Sequence, residues 1–356
     1  MVRENVGMDT CKIYGTIGPA SREPKILSEL IQAGMTGIRL NLSHGMLEEM
    51  NTTIQSYYKI WKEMRKSQPD ILIDLVGPEL RIGRLSQDLN LVENTQVTFS
   101  CNEDSCDGSI PVDQIIYQQL LPKRVVIIDD GKRMIEIVDS NPNNSEGMSG
   151  HKVIGKVIRG GRLSSKKSIL IQGVEIDNPT LTLADRMNLQ ELDRYHITGV
   201  MLPFVRGKQD IQNLKNEIQL HTNRDIRILS KIENMEGVTK LEEIAELSDE
   251  IIIARGDLGN AVGLTRLPVI QDMIAKKCRT MNQSFMIVTQ MLASMENSAV
   301  PTRAEVNDIF QSICQGTSSV MLTGETANGL YPVEAVRILK ETVTTAQQYL
   351  KTGHLI

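Results

Sequence analysis

Two acidic residues and a lysine follow neighbouring aliphatic runs of the sequence, and together they could bind a metal ion and a phosphate. Lys231 and Glu233 end one run, and Asp257 follows the next. Two carboxylates without histidine or thiolate suit Mg²⁺ or Mn²⁺, with water and substrate completing the octahedron. A lysine fits beside a divalent ion when a phosphate lies between them, because the lysine neutralises phosphate as a point charge. The plainer alternative is a salt bridge between these carboxylates and Lys231 or Arg255.

Other residues at the ends of such runs could hold anions or a monovalent cation. The stretch Gly256-Asp257-Leu258-Gly259 could present backbone N–H groups to a carboxylate or phosphate, and a plain turn is the alternative. Asn41, Ser43 and Asp74 offer oxygen ligands that could hold a monovalent cation. Arg39 could reach a phosphate or pair with a carboxylate.

These residues share one position, at or just beyond the end of a predicted strand. Eight runs, most of them without apolar–polar alternation, are typical of strands buried on both faces, and helical patterns fill the gaps between them. The runs are Cys11–Thr16, Gly37–Leu42, Ile71–Val76, Gly199–Phe204, Ile226–Lys231, Ile251–Arg255, Phe285–Gln290 and Ser319–Thr323. The helical patterns are Glu23–Ala33, Leu47–Lys66, Ala184–Tyr195, Gln209–His221, Val238–Leu247, Val269–Met281, Thr302–Gln315 and Val333–Leu350. This alternation predicts an α/β protein with a (β/α)8 TIM barrel, whose chemistry lies at the carboxyl ends of the strands.

The segment 79–178 interrupts the alternation after the third strand. Its short alternating runs and its turns, such as Asp130-Gly131, predict a small β-barrel-like domain inserted into a barrel loop. The predicted domains are therefore a barrel of residues 1–78 and 179–356 and an inserted domain of residues 79–178. The length of the barrel part alone is close to that usual for this fold, about 250 residues. Two doubly wound domains would instead need Gly-x-Gly-x-x-Gly after a strand, and the sequence has no such motif.

The composition excludes several classes of protein. The 356 residues are 40% hydrophobic and 23% charged, which is enough to build a sizeable core. A net charge of −5 and an aromatic content of 3% disfavour nucleic-acid binding. No apolar run reaches the about 18 residues of a membrane span, and no signal-peptide core follows the N-terminus. The 5 cysteines lack the spacing of a metal site, so we expect free thiols in a reducing, cytoplasmic compartment.

Several long motifs, in order along residues 11–350, closely resemble those of the pyruvate kinase family. In the predicted barrel they are Thr16-Ile17-Gly18-Pro19-Ala20-Ser21, Arg39-Leu40-Asn41-Leu42-Ser43-His44-Gly45, Gly77-Pro78-Glu79-Leu80-Arg81, Ser230-Lys231-Ile232-Glu233-Asn234, Ala254-Arg255-Gly256-Asp257-Leu258-Gly259, Thr289-Gln290-Met291-Leu292, Pro301-Thr302-Arg303-Ala304-Glu305 and Gly324-Glu325-Thr326-Ala327. The inserted segment matches through Asp129-Asp130-Gly131 and Gly160-Gly161-Arg162-Leu163-Ser164-Ser165-Lys166-Lys167.

The resemblance implies the glycolytic transfer of a phosphoryl group from phosphoenolpyruvate to ADP, which yields pyruvate and ATP. Lys231 would stabilise the phosphoryl group in transfer, and Arg39 would meet phosphate. The divalent metal, Mg²⁺ or Mn²⁺, would be held by Glu233 and Asp257. The resemblance further implies that the substrate carboxylate is held by Gly256, Asp257 and Thr289. The proton that converts enolpyruvate to pyruvate would pass by Thr289 and Thr323.

The resemblance also implies a nucleotide site and a K⁺ site. The nucleotide would be met by Pro19, Asn41, His44, Arg81 and Lys166. K⁺ would be held by Asn41, Ser43, Asp74 and the Leu75 carbonyl, and Glu79 stands where K⁺-dependent members carry glutamate. The inserted domain would close as a lid that excludes water. Self-association through the barrel is compatible with the resemblance, whereas nucleic-acid and membrane partners are not expected.

Departures from the family pattern leave a second interpretation open. The family usually has a lysine at the position of Val76 and a small hydroxyl residue at that of Pro203, and Thr323 replaces a serine. The chain also stops after the eighth helix, so control through a C-terminal effector domain is not expected. The alternatives are a related enzyme acting on another enol or phosphorylated 2-oxo acid, and a non-catalytic binding descendant.

Overall fold

Eight parallel strands close into a barrel, which confirms the predicted fold class. The structure is a computed structural model that describes residues 11–353 except 66, 79, 102–107, 130, 141–152 and 175–178. The barrel strands are Lys12–Thr16, Gly37–Asn41, Asp70–Asp74, Gly199–Leu202, Arg227–Ile232, Glu250–Ala254, Phe285–Val288 and Ser319–Leu322. Each pairs in parallel with the next, and the last pairs with the first. The seventh strand ends two residues earlier than predicted because Thr289 and Gln290 have positive φ, which a strand cannot accommodate.

The register of the strands brings their carboxyl ends to one rim. Asn41 of the second strand and Met201 of the fourth both lie opposite Asp74 of the third. Strand side chains alternate, so one set fills the barrel and the other packs against the helices. Tyr14, Leu229 and Met286 belong to a buried cluster made only of strand residues. The other set joins the helices in the main core.

The eight predicted helical segments are helical, with changes at three of them, and the short helices Arg255–Val262 and Gly324–Ala327 are not among those predicted. The helices are Pro24–Ala33, Asn51–Met64, Leu183–Leu189, Lys208–Gln219, Met235–Thr239, Leu241–Ala245, Arg255–Val262, Leu267–Thr280, Arg303–Cys314, Gly324–Ala327 and Pro332–Thr352, with 3-10 turns at Leu42–His44, Leu47–Met50 and Ala293–Glu296. The segment predicted as one helix from Leu47 begins as a 3-10 turn. The helix predicted to reach Tyr195 ends at Leu189, and the one predicted from Val238 starts at Met235 and breaks at Lys240. Some helices begin sharply because a side chain caps their first turn. Thr302, for example, precedes the helix Arg303–Cys314 and forms a capping box with Glu305.

Residues Pro78–Pro179 form a compact unit separate from the barrel unit, Met1–Gly77 with Thr180–Ile356. Its strands are Leu89–Leu91, Gln96–Cys101, Ile110–Val112, Val125–Ile128, Arg133–Asp139, Val153–Arg159, Gly161–Leu163 and Ile169–Ile171, with a short helix Gln114–Tyr117. Six of these strands make one sheet, and Leu89–Leu91 pairs with Gly161–Leu163 in a second. The unit has its own core, in which Phe99, Ile128 and Ile135 are fully buried. The prediction of a β domain inserted after the third strand is confirmed.

No helix in the described ranges combines the length and the apolar character that a membrane crossing needs.

Candidate active site

A buried ion cluster lies at the carboxyl ends of the second, third and fifth barrel strands. The ammonium of Lys231 lies 3.3 Å from Asp74 Oδ2 and 3.0 Å from Glu233 Oε1. The guanidinium of Arg39 donates from Nε to the same Asp74 oxygen at 3.0 Å and from Nη1 to the Thr16 hydroxyl at 3.0 Å. Two cations therefore share one carboxylate, and one of them reaches a second carboxylate. Of the alternatives for Arg39, the structure shows the pairing with a carboxylate, and a phosphate contact stays a prediction.

Asp74 and Lys231 are charged despite their burial. Asp74 and Glu233 are each only 2% exposed. Burial by itself raises the pKa of Asp74, but the charges of Lys231 and Arg39 outweigh it, so the pKa lies below its ordinary value. Burial lowers the pKa of Lys231, yet Asp74 and Glu233 outweigh this, and Asp257 adds to the rise. Lys231 is therefore a permanent cation at neutral pH, as neutralisation of a transferring phosphoryl group requires.

One oxygen of Asp74 is buried without a hydrogen-bond partner. Oδ2 takes all the contacts with Arg39 and Lys231, while Oδ1 has none. A buried carboxylate oxygen left unpaired is costly, so such an atom points to an absent ligand. The predicted partners lie at the end of the neighbouring strand and in the turn that follows it: Asn41 Oδ1 accepts from Ser43 N at 3.2 Å and from Ser43 Oγ at 2.9 Å. This set of oxygens fits a monovalent cation.

The second oxygen of Glu233 is held by a backbone group that sequence reasoning missed. Phe204 N donates to Glu233 Oε2 at 2.7 Å, with Phe204 at φ 52. A bulky residue in the left-handed region is strained and persists only where its surroundings hold it. The sequence offers no local signal for it, because Phe204 follows Pro203 in what reads as a strand. Both oxygens of Glu233 are thus oriented, and each keeps a lone pair for a metal.

Val76 and Pro203, two of the departures from the family pattern, lie close together just beyond the third and fourth strands. Val76 N and Gly77 N donate to the two oxygens of Asp185, at 2.8 and 3.0 Å. A Cβ on Gly77, whose φ is 61, would lie 2.3 Å from the Pro203 ring. Pro203 therefore requires glycine at position 77. The fully buried Asp185, another residue that sequence reasoning missed, fixes the backbone here.

The residues predicted to hold a carboxylate meet where the sixth and seventh strands end. The helix Arg255–Val262 begins directly after the sixth strand, so Gly256 and Asp257 lie in its first turn. Gly256 N donates to Thr289 Oγ1 at 2.9 Å. Because that oxygen accepts, the Thr289 hydroxyl keeps its proton to donate elsewhere. A helix N-terminus beside a hydroxyl donor is suited to an anion.

Thr323 is fixed by Glu325. Thr323 N donates to Glu325 Oε2 at 2.7 Å, and Leu292 N donates to Oε1 at 2.9 Å. Glu325 is buried and links the loops after the seventh and eighth strands. Its neighbour Glu296 has a raised pKa because burial and the charge of Glu325 both disfavour its ionised form.

The predicted nucleotide residues are divided between the two units. In the barrel unit, Pro19 lies in the turn after the first strand, and His44 ends the turn Leu42–His44. In the inserted unit, Arg81 Nη1 donates to the Lys166 carbonyl at 2.8 Å, which places these two residues side by side. Leu75 is buried directly after the third strand. Glu79 lies outside the described residues.

The donor set fits a divalent cation of the Mg²⁺ type. In the part of the chain that the structure describes, no group of three or more His, Cys, Asp and Glu side chains is placed to hold a metal. Mg²⁺ is usually bound by one or two carboxylates, with substrate phosphate and water completing its shell. Glu233 and Asp257 are the carboxylates predicted to do so, whereas a transition metal would call for histidine or thiolate.

Comparison with known proteins gives the family. The family model described as pyruvate kinase, barrel domain, matches residues 8–336. The pyruvate kinase of Aeropyrum pernix is 34% identical over 343 residues, which cover 96% of this chain and 72% of that protein. The pyruvate kinase of Clostridium perfringens is 32% identical over 98% of this chain and 73% of its own length, and that of Bacillus licheniformis is 33% identical over 96% and 58%. With its closed barrel and a family match over most of its length, the chain belongs to the pyruvate kinase family of phosphotransferases.

Proposed function

We propose that the protein transfers the phosphoryl group of phosphoenolpyruvate to ADP, with Mg²⁺ or Mn²⁺ required and K⁺ activating. The observation that carries this proposal is the buried ammonium of Lys231, held 3.0 Å from Glu233 and 3.3 Å from Asp74 at the carboxyl rim of the barrel. A cation fixed beside a carboxylate proposed to hold the divalent metal is what the transfer of a phosphoryl group needs, since its transition state spreads negative charge over several oxygens.

Lys231 and Arg39 supply the positive charge of the site. Lys231 faces the transferring phosphoryl group and neutralises the charge that develops on its oxygens. Arg39 is anchored through Asp74 and Thr16 and presents its guanidinium to the phosphate. Glu233 and Asp257 hold the divalent metal, which supplies Lewis-acid charge stabilisation when bound. Because Phe204 N fixes Glu233, that carboxylate is oriented before substrate arrives.

The start of the helix Arg255–Val262 and the Thr289 hydroxyl bind the substrate carboxylate. The helix N-terminus attracts the anion, and the Thr289 hydroxyl donates to one of its oxygens. Once the phosphoryl group has left, the enol carbon must gain a proton. Thr289 and Thr323, both held by hydrogen bonds, line the route of that proton.

K⁺ is proposed to bind the oxygens of Asn41, Ser43 and Asp74 together with the Leu75 carbonyl. The unpaired Asp74 Oδ1 supports this assignment, because a monovalent cation would satisfy a buried oxygen that nothing else reaches in the described residues. When bound, K⁺ would add positive charge to the cluster that contains Arg39, which is proposed to meet phosphate.

The experiment is a coupled assay of pyruvate formation from phosphoenolpyruvate and ADP. We expect turnover that requires Mg²⁺ or Mn²⁺ and that rises when K⁺ replaces tetramethylammonium at equal ionic strength. No turnover with phosphoenolpyruvate, but turnover with another phosphorylated 2-oxo or enol acid, would overturn the proposed substrate. Absence of Mg²⁺ binding in calorimetry would overturn the catalytic role altogether.

A further inference from the structure

The turn that follows the seventh strand has an unusual backbone. Thr289 has a φ of 72 and Gln290 a φ of 53, so two successive non-glycine residues lie in the left-handed region. For a β-branched residue such as threonine this conformation is an outlier. It persists only where surrounding groups impose it. The turn therefore needs an external restraint, and the sequence of the turn itself does not supply one.

Arg255 supplies that restraint. Its Nε and Nη2 donate to the Thr289 carbonyl at 3.1 and 2.7 Å, and Nη2 also donates to the Gln290 carbonyl at 3.1 Å. Arg255 is 9% exposed and is the first residue of the helix Arg255–Val262. A planar fork of donors can hold two successive carbonyls in fixed directions, which the single ammonium of a lysine cannot do.

The third arm of the guanidinium is held from another helix. Arg255 Nη1 donates to Asp308 Oδ2 at 2.6 Å, and Asp308 belongs to the helix Arg303–Cys314. This ion pair fixes the plane of the guanidinium, and that plane sets where its remaining donors point. Asp308 makes no contact with the turn in the hydrogen bonds described for it, so its effect on the turn must pass through Arg255.

The restraint ends at the groups assigned to the substrate carboxylate. Gly256, the residue after Arg255, donates its N–H to Thr289 Oγ1 at 2.9 Å. The helix start and the turn are thus tied twice, once through the Arg255 side chain and once through the Thr289 hydroxyl. A shift of the turn would displace both the hydroxyl and its partner N–H from the anion.

We infer that Arg255 is a positioning residue that holds the Thr289–Gln290 turn in its carboxylate-binding conformation, and that Asp308 sets the orientation of Arg255. The inference rests on the proposed function for the role of Thr289 toward the substrate acid. The turn is not proposed to bind the metal or the nucleotide. Its displacement is therefore expected to affect phosphoenolpyruvate selectively.

The first test compares Arg255→Lys and Asp308→Asn in steady-state assays with phosphoenolpyruvate and ADP. Arg255→Lys is expected to raise the KM for phosphoenolpyruvate by up to about 100-fold. This is the size of effect that a binding group displaced by about 1 Å can have. Asp308→Asn is expected to raise it by about tenfold, the loss of one charge-assisted bond. The KM for ADP should stay unchanged in both. Equal changes in the two KM values, or no change in either, would overturn the inference.

Arg224→Lys is the matched control. Arg224 also holds two backbone carbonyls, those of Leu192 and Ile197, and pairs with an aspartate, Asp193. These contacts lie before the fifth strand and away from its carboxyl end. A general cost of replacing a clamping arginine would appear in this variant too, whereas loss of acid positioning would not.

Two further measurements separate the inference from the proposed function. Thr289→Ala tests the assigned role of Thr289, and in that background Asp308→Asn should no longer change the KM for phosphoenolpyruvate. If Thr289→Ala raises this KM while the Arg255 and Asp308 variants do not, the inference alone fails. A crystal structure of Arg255→Lys decides the backbone claim without any assay. Departure of Thr289 from positive φ supports the inference, and an unchanged turn overturns it. Asp308→Asn serves the same purpose if Arg255→Lys does not fold.

Discussion

Replacing Lys231 by methionine removes a buried charge while keeping an unbranched side chain of similar length. The change deletes the ion pairs to Asp74 and Glu233 and leaves Arg39 as the remaining cation of the described cluster. We expect turnover to fall by at least about 100-fold, because a preorganised charge is lost where the transition state needs it. We also expect a loss of stability, since two buried carboxylates lose a partner.

The magnitude follows from burial. Asp74 and Glu233 are each 2% exposed, so solvent screens little of the lost interaction. Removing one partner of a buried ion pair costs about 3–5 kcal/mol of unfolding free energy. Burial raises the pKa of Asp74, and the charges of Lys231 and Arg39 lower it. Removing the charge of Lys231 must therefore raise the pKa of Asp74 in the variant.

This pKa change makes the stability difference depend on pH. In the wild type the depressed pKa of Asp74 contributes stability that is complete above its unfolded pKa of about 3.9 and is lost as the pH falls through the lower folded pKa. The variant lacks the part of that contribution that Lys231 supplies, while Arg39 keeps its own. The difference in unfolding free energy should therefore be largest near neutral pH and should narrow as the pH falls from about 5 toward 3.

Urea unfolding followed by tryptophan fluorescence measures this difference. Trp61 is the sole tryptophan and is buried in the barrel core, so the signal reports the barrel unit. Lys276→Met is the control, because its ion pair with Asp272 is exposed and its loss should not change stability measurably. Equal stabilities of wild type and Lys231→Met at pH 7, or a difference that does not narrow in acid, would refute the reasoning.

Three further predictions concern the frame around the site. Gly77→Ala should destabilise the barrel and lower turnover, because its φ is 61 and a Cβ would lie 2.3 Å from the Pro203 ring; unfolding and kinetics measure both effects. Thr302→Ala should cost about 1 kcal/mol of stability through the lost helix cap, with kcat unchanged, as urea unfolding and assays can show. Asp70→Asn should weaken the barrel at the amino ends of the strands, where Asp70 meets Tyr14 and Arg227, without changing either KM. Because the pKa of Asp70 is lowered despite burial, this last loss should be complete above about pH 5 and vanish in acid, as a pH series of unfolding curves can test.

Specific results would contradict the Gly77 and Asp70 predictions. A Gly77→Ala protein as stable and active as the wild type would show that Pro203 gives way easily. A Gly77→Ala, Pro203→Ala double variant that recovers stability would confirm that the ring causes the loss. A change in KM on Asp70→Asn would contradict the placement of that residue far from the chemistry.

Local sequence patterns predicted the eight strands and most helices. A strand buried on both faces must be aliphatic, and a surface helix must be amphipathic, with one apolar and one polar face. One error lies where a tertiary contact overrides the local pattern: the seventh strand stops early because Arg255 holds the Thr289–Gln290 turn. Another has a local cause that apolar periodicity does not reveal: the helix predicted from Val238 begins earlier because Asn234 caps it by accepting from Gly237 N.

The sequence by itself determined the fold and which side chains stand at the strand ends. It did so because residue order along parallel strands fixes which ends share a rim. Only the tertiary structure decided which charges pair there. Lys231 and Asp74 are far apart in sequence, and their 3.3 Å contact arises from the closure of the barrel. The unpaired oxygen of Asp74, the Phe204 amide on Glu233 and the Asp308–Arg255 pair likewise depend on packing between distant segments, which no local pattern encodes.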